Sequence, residues 1–395
     1  MKHIIFLSLL ASSLMADATT DTLQERLDQV ELKLNSLQTK NTNKTASFSQ
    51  NAYLPDIARV LNMSALTRNV SNSEYENYAI PGFIKAGDAE LPFNKNRGFN
   101  LNYAEVAMHS VVDPYFEAFA IFHLSPNEFE IEEAYVQTTS LPYFLKLKAG
   151  KFRSDFGRIN AKHHHTWNFD SQPIIYEALF GVENLSDAGL QLQWIVPSDT
   201  YIMIGLEAMQ GTNEQSFGYA ESNNLYNGYI KSSLDIGDDL SILAGISIAH
   251  GKNTTLNSTD IYGTDLTFRQ QLGSYSAIIW QSEYLQRAKK LTSQTDHQAG
   301  LYSELIYQQN NNYSYAIRYD LITKNETDLS TYIGLDTNNL QRYSAKIDYH
   351  PFPMSRLRLC YTYDSSKIID SKRKNINEVM LSLNIAAGAH AAHNY

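Results

Sequence analysis

Three consecutive histidines, His163, His164 and His165, form the densest group of metal-capable side chains in the chain. Neutral imidazole is a common zinc ligand. On an extended segment His163 and His165 share one face and His164 opposes them, so a single ion takes two of the three. The other ligands are expected from His390 and His393, whose i, i+3 spacing suits a turn or helical segment at the chain end. The bland alternative is a solvated polar loop and an ordinary tail. A second constellation is acidic. Glu128, Glu130, Glu132 and Glu133 precede Ala134, and on a strand Glu130 and Glu132 share a face, where they line a cation path or a solvated surface. Lys146, Lys148, Arg153 and Arg158 form a neighbouring basic set able to pair with those glutamates across strands.

Catalysis has the residue types and lacks the framework. Ser154, Ser171 and the histidine run could supply a nucleophile and a base. No serine sits in a GxSxG elbow, and no glycine-rich phosphate loop or HExxH motif occurs, so an enzyme is not expected. No cofactor is required by this reading; Zn2+ is the one candidate ion, as ligand or as transported species.

The elements that must position these groups are strands. From Gln341 to His350, Tyr343, Ala345, Ile347 and Tyr349 alternate with Arg342, Ser344, Lys346, Asp348 and His350. Arg356 to Tyr363 repeats the scheme, and so does Glu378 to Ile385. Further strands are expected at Leu101 to His109, Tyr115 to Leu124, Glu130 to Thr138, Phe144 to Phe152, Gly189 to Val196, Tyr201 to Ala208, Leu225 to Leu234, Leu240 to His250, Tyr275 to Leu285, Ala299 to Gln308 and Tyr313 to Asp320. A soluble sandwich also alternates. The 26 Tyr and 17 Phe, many at the ends of these segments as Tyr313, Tyr315 and Tyr319 are, favour the interfacial girdles of a membrane barrel.

Compartment follows from the N-terminus. Met1 to His3 and the short apolar run Ile4 to Leu10 read as a signal peptide, cleaved after Ala16 or Ala18. No later apolar run reaches the roughly 18 residues of a spanning helix, so insertion must use strands. Charged residues at 19% and a mean hydropathy below zero suit a water-filled barrel and exclude a helical membrane protein. A net charge of −10 argues against nucleic acid as a partner. The single cysteine, Cys360, excludes an internal disulfide framework.

The expected organisation is therefore a signal peptide over 1–18, a periplasmic coiled-coil helix over 19–40, a flexible linker over 41–52 and an antiparallel transmembrane β-barrel of about 14 to 18 strands over 53–395. The helix rests on Leu23, Leu27, Val30, Leu34 and Leu37, spaced as the a and d positions of a heptad seam. Such a seam needs a partner, so self-association is expected, with a trimer by analogy to coiled-coil porins; a helix docked on its own barrel is the alternative.

Several phrases resemble a family of bacterial zinc-regulated outer-membrane proteins. They are Leu54-Pro55-Asp56-Ile57, Ala79-Ile80-Pro81-Gly82-Phe83, the run Ile131 to Thr138, Leu147 to Phe152, His163 to Phe169, Gly189 to Trp194, and the ending Gly388 to Tyr395 with its two spaced histidines. Apart from the ending they fall within Leu54 to Gly211, about 40% of the chain; Thr212 to Asn375 is similar only in strand character. The resemblance implies an outer-membrane location and a role in zinc entry when the metal is scarce. Family members are often labelled TonB-dependent receptors, which carry a plug domain of over a hundred residues before a 22-stranded barrel. Here the coiled coil and linker occupy that place, so a passive, open or loop-constricted channel for zinc or small solutes is expected, with a receptor or an adhesive envelope barrel as alternatives. Replacing Leu27 and Leu34 with charged residues should lower the mass of the detergent-solubilised assembly by light scattering while the barrel stays folded. An unchanged mass equal to one chain would remove self-association through the seam.

Overall fold

A computed structural model describes residues 55–88, 96–125, 129–219, 221, 223–335, 337 and 339–388. The expected signal peptide, seam and linker, and also Glu128, His390 and His393, lie outside the described residues. The strands are β1 (Asp56–Arg68), β2 (Gly98–Val111), β3 (Phe116–Leu124), β4 (Phe129–Thr138), β5 (Leu145–Arg153), β6 (Ser186–Ile195), β7 (Tyr201–Met209) and β8 (Leu225–Ile236). They continue as β9 (Leu240–Lys252), β10 (Ser258–Gly273), β11 (Ser276–Lys290), β12 (Thr295–Gln308), β13 (Tyr313–Glu326), β14 (Gln341–Tyr349), β15 (Ser355–Ile369) and β16 (Lys372–Gly388). Each pairs antiparallel with its neighbours in sequence. The ring closes where β1 pairs with β16, from Ala58 opposite Gly388 to Arg68 opposite Glu378. A closed barrel is one of two ways a chain can cross a bilayer without stranding backbone polar groups in lipid. No helix among the described residues is long and apolar enough to cross one.

Alternation sets inside and outside. On β14, Tyr343, Ala345, Ile347 and Tyr349 are exposed on the outer face while Arg342, Ser344, Lys346 and Asp348 are buried inside. Tyrosines form two rows on this outer surface. Tyr313 stacks on Tyr349 at 5.0 Å near one rim, and Tyr319 lies 4.9 Å from Tyr343 toward the other. The six residue steps from Tyr313 to Tyr319 span about 20 Å of strand, close to the height of a lipid-facing apolar band.

Two strands escaped the sequence reading, β1 and β10. In each the polarity contrast is blurred because some lumen positions are apolar: Val60 and Leu66 on β1, Ile261 on β10. The reason lies in the connections. At one rim the strands are joined by short turns, but at the other, segments 69–97, 154–185 and 210–224 are long, and the described parts of all three contribute to an apolar core inside the barrel. That core includes Tyr78, Ile80, Phe156, Leu179, Phe180 and Phe217, packed on inward residues such as Leu225, Ile261, Leu285 and Tyr302. Helix α1 (Asn72–Tyr75) carries a capping box of Ser71 and Glu74, and α2 (Ile174–Phe180) is buried along its whole length. Each fully buried aliphatic or aromatic side chain contributes about 1.5–3 kcal/mol, which holds the segments in the lumen. Gly157 lets the 154–185 segment turn inward: its φ is +65°, and a Cβ there would lie 2.1 Å from Glu283 Oε1 and 2.4 Å from Tyr176 Oη.

The outer face makes a quantitative prediction. Leu359, between the tyrosine rows and paired with Ile347, faces lipid. Leu359→Arg should cost about 2–4 kcal/mol of folding free energy in lipid vesicles, against about 1 kcal/mol or less for Tyr349→Arg at the rim. Equal costs from reversible urea unfolding would contradict the assigned depth.

Candidate functional site

The inward faces of β2, β3 and β4 carry the acidic side of the lumen. In the hairpin register Glu105 lies directly opposite His123, and the two side chains meet at 3.1 Å between Oε2 and Nε2. On β4 the register slips, with Ile121 opposite Glu133 and Phe122 opposite Ile131, so Glu132 is the extra residue of a bulge. The bulge turns both Glu132 and Glu133 into the lumen, where each is buried. Glu130 lies opposite inward-facing His123 in the same register, so it shares its face with Glu132 as expected, although it is only half-buried and pairs with Lys151 at 3.3 Å; the bulge adds Glu133 to that face. Glu132 Oε2 lies 2.5 Å from His123 Nε2, while its Oε1 accepts from Arg153 Nε at 2.9 Å. The Arg153 backbone N–H donates to Glu133 Oε1 at 2.8 Å. Of the basic set, Arg153 thus meets the glutamates as expected, whereas Arg158 reaches across the barrel to Asp265.

The histidine run enters this wall from the 154–185 segment. It forms a short 3-10 turn, His164–Thr166, rather than an extended stretch. His163 and His165 still fall on one side and His164 on another. His163 places Nδ1 3.1 Å from Glu132 Oε2 and Nε2 2.8 Å from Glu133 Oε2; His165 Nδ1 is 3.2 Å from Glu105 Oε2. The His164 ring instead lies 4.4 Å from Trp167 and 6.3 Å from Tyr103. Electrostatics separate these neighbours. Burial opposes charge on both, but Glu132 and Glu133 outweigh it at His163 and hold that imidazole well above its ordinary value. At His164 burial, reinforced by Arg153, pushes the imidazole well below it. Sequence reading missed Glu105 and His123. The available signal was their place on the inward faces of two strands joined by a short turn, whose register sets them side by side.

The far side of the same segment meets the opposite wall. Glu177 of α2 sits between Arg342 of β14 at 2.7 Å and Lys367 of β15 at 2.9 Å, and also accepts from Tyr78 Oη at 2.8 Å. Asp170 approaches Arg358 at 3.6 Å, and Arg318 donates to the Ser171 carbonyl at 2.7 Å. Burial favours the neutral acid at Glu177, yet the two cations outweigh it and hold the carboxyl well below the usual range. A cavity of about 60 Å³, room for a few waters, lies here beside Trp167, Asp170, Glu177, Arg342 and Lys367. The segment therefore crosses the lumen with imidazoles toward a carboxylate wall and carboxylates toward a guanidinium wall. Of the candidate serines, the Ser154 hydroxyl is bonded to Glu207, and Ser171 Oγ accepts from Arg318 at 2.9 Å. Cys360 is buried on the lumen side near Phe169.

A closed barrel of sixteen antiparallel strands with a long connection folded into its lumen has the architecture of porins, and solved structures agree. The chain superposes on an anion-selective porin from Comamonas acidovorans with a TM-score of 0.57 at 8% identity, covering 84% of this chain and 99% of that one. It superposes on the outer membrane channel DcaP of Acinetobacter baumannii with 0.56 at 11%, covering 84% and 97%. OmpT of Vibrio cholerae in its trimer form gives 0.53 at 10%, covering 84% and 99%. No protein-family model matches the chain. At the sequence level it is 36% identical over 386 residues to an uncharacterized protein of Aquifex aeolicus (strain VF5), covering 89% of this chain and 82% of that protein, and it belongs to that protein's family.

Glu177 gives the site its clearest test. Its carboxyl is depressed in the folded state, so its stabilising contribution is present above the unfolded value of about 4.3 and is lost only as pH falls below that. Glu177→Gln leaves Lys367 buried beside a neutral amide, while Arg342 keeps Asp364 at 3.0 Å, and should cost about 3 kcal/mol at neutral pH. Urea unfolding in detergent that shows a loss under 1 kcal/mol would contradict the docking role.

Proposed function

We propose that this protein is a porin-like channel of the bacterial outer membrane that passes small ions or solutes by passive diffusion and serves zinc entry. The observation that carries the channel reading is the sixteen-strand closed barrel whose outer face is apolar between tyrosine rows and whose lumen is lined with charge. Barrels of this size hold an aqueous channel, whereas 22-stranded transporters hold a plug, so the count supports a porin over a TonB-dependent receptor. Solute moving past the lumen-crossing segment would meet carboxylates on one side and guanidinium groups on the other, and the balance between them would set ion preference. Zinc entry is supported by the family-like phrases and by imidazoles held on an acidic wall. The expected Zn2+ ligands His163 and His165 stand on that wall, His164 beside Tyr103 and Trp167. In this reading the protein is not an enzyme. It assembles as a homo-oligomer, a trimer through its N-terminal helix, and its membrane partner is outer-membrane lipid. The trimer form of OmpT from Vibrio cholerae supplies a precedent among similar folds.

The purified chain in a planar bilayer should give stepwise conductance without an energy source. Replacing residues 158–182 with a short Gly-Ser linker should raise the single-channel conductance severalfold, because that segment fills the lumen. Absence of conductance, or zinc uptake in cells that collapses when TonB coupling is removed, would overturn the passive channel.

A further inference from the structure

We propose that Glu105, His123, Glu132 and His163 bind one Zn2+ ion and so fasten the lumen-crossing segment to the β2–β4 wall. This deepens the channel reading by naming a ligand the lumen holds, and rests on it only for the barrel itself.

Each of the four residues is buried, and each offers one ligand atom, all lying within 4.8 Å of one another. The separations are 2.5 Å for His123 Nε2 to Glu132 Oε2, 3.1 Å for His123 Nε2 to Glu105 Oε2 and for His163 Nδ1 to Glu132 Oε2, and 3.9 Å for His163 Nδ1 to Glu105 Oε2. Ligand atoms around a tetrahedral zinc at its usual bond lengths stand about 3.3 Å apart, so side-chain adjustments on the order of 1 Å bring the set to that spacing. The set mixes two imidazoles with two carboxylates, which suits zinc and related first-row dications rather than Ca2+ or Mg2+.

The surroundings are those of a metal centre. A ligating imidazole commonly donates its second N–H to a carboxylate, and His163 Nε2 stands 2.8 Å from Glu133 Oε2, so Glu133 would hold the Nε2 proton once an ion displaces the one on Nδ1. Arg153 donates to the second oxygen of Glu132, leaving Oε2 for the ion. Glu105, Glu132 and Glu133 are buried together with Arg153, an acid-rich setting that favours a bound dication. His165, at 3.2 Å from Glu105 Oε2, is positioned to orient that carboxylate. Three of the four ligands belong to the barrel wall and one to the crossing segment. Zinc occupancy therefore couples to the position of the segment that narrows the lumen.

The rival state is two imidazolium ions paired with the same carboxylates, and metal titration separates the two. The full chain, folded in detergent and stripped with a chelator, is titrated calorimetrically with ZnCl2 at neutral pH. One Zn2+ per chain is expected, undiminished by excess Mg2+ or Ca2+. His123→Ala and Glu105→Gln should each weaken binding by roughly a hundredfold or more, Glu133→Gln by roughly 10- to 100-fold, and His250→Ala, which alters an exposed pair with Asp260, not at all. Heat-modifiable migration on gels reports whether each variant is folded. Should the ligand variants fail to fold, the visible spectrum of the wild-type chain loaded with Co2+ decides: four-coordinate bands support the site, a six-coordinate spectrum overturns it. Equal zinc affinity in wild type and folded His123→Ala, or no binding by the wild type, also overturns it. A chain that conducts without binding zinc refutes this inference and leaves the channel; one that binds zinc without conducting does the reverse.

Discussion

Charge complementarity across the lumen is the interaction on which the inside of this barrel depends. Closing sixteen strands sends alternate side chains inward, and the lumen receives buried carboxylates and buried cations, some already paired within the wall, as Arg318 is with Asp320, Arg342 with Asp364 and Arg358 with Asp348. Glu105, Glu132 and Glu133 lie on β2 and β4, while Arg318, Arg342, Arg358 and Lys367 lie on β13 to β15. A lumen of that kind is costly to leave unmatched, because each buried charge without a partner loses its hydration. The 154–185 segment supplies the match on both sides, with His163 and His165 facing the acids and Asp170 and Glu177 facing the bases.

Charge sets where the segment docks; apolar burial supplies much of the energy that keeps it inside. Ile174, Ile175, Leu179 and Phe180 are buried in the lumen core, to which the inward positions of β8, β10, β11 and β12 contribute Leu225, Ile261, Leu285 and Tyr302. The same core explains why an outer-membrane-type lumen here is not uniformly polar.

The outer half of the structure was largely legible in the sequence. Tyr343, Ala345, Ile347 and Tyr349 read as one face and stand on the lipid side, and a count of sixteen falls inside the expected range. Strands β1 and β10 were hidden by the lumen core, since Val60, Leu66 and Ile261 are apolar where a water-filled barrel is polar. The acidic wall was legible only in part. Period two cannot show a bulge, and the bulge at Glu132 is what brings Glu132 and Glu133 inward together. Glu105 and His123 meet His163 through an inward fold of a distant connection, a juxtaposition that no local pattern encodes. His390 and His393 lie outside the described residues, so the partnership expected for them stands as a proposal.

The most direct measurement of this account is hydrogen–deuterium exchange, read by mass spectrometry on the folded chain in lipid nanodiscs. If the crossing segment is locked in the lumen, the amides of Ile174 to Phe180 and of Tyr78 to Ile84 should exchange about as slowly as those of the barrel strands. Exchange there as fast as in the exposed turns at 254–256 and 292–294, with the strands still protected, would contradict it.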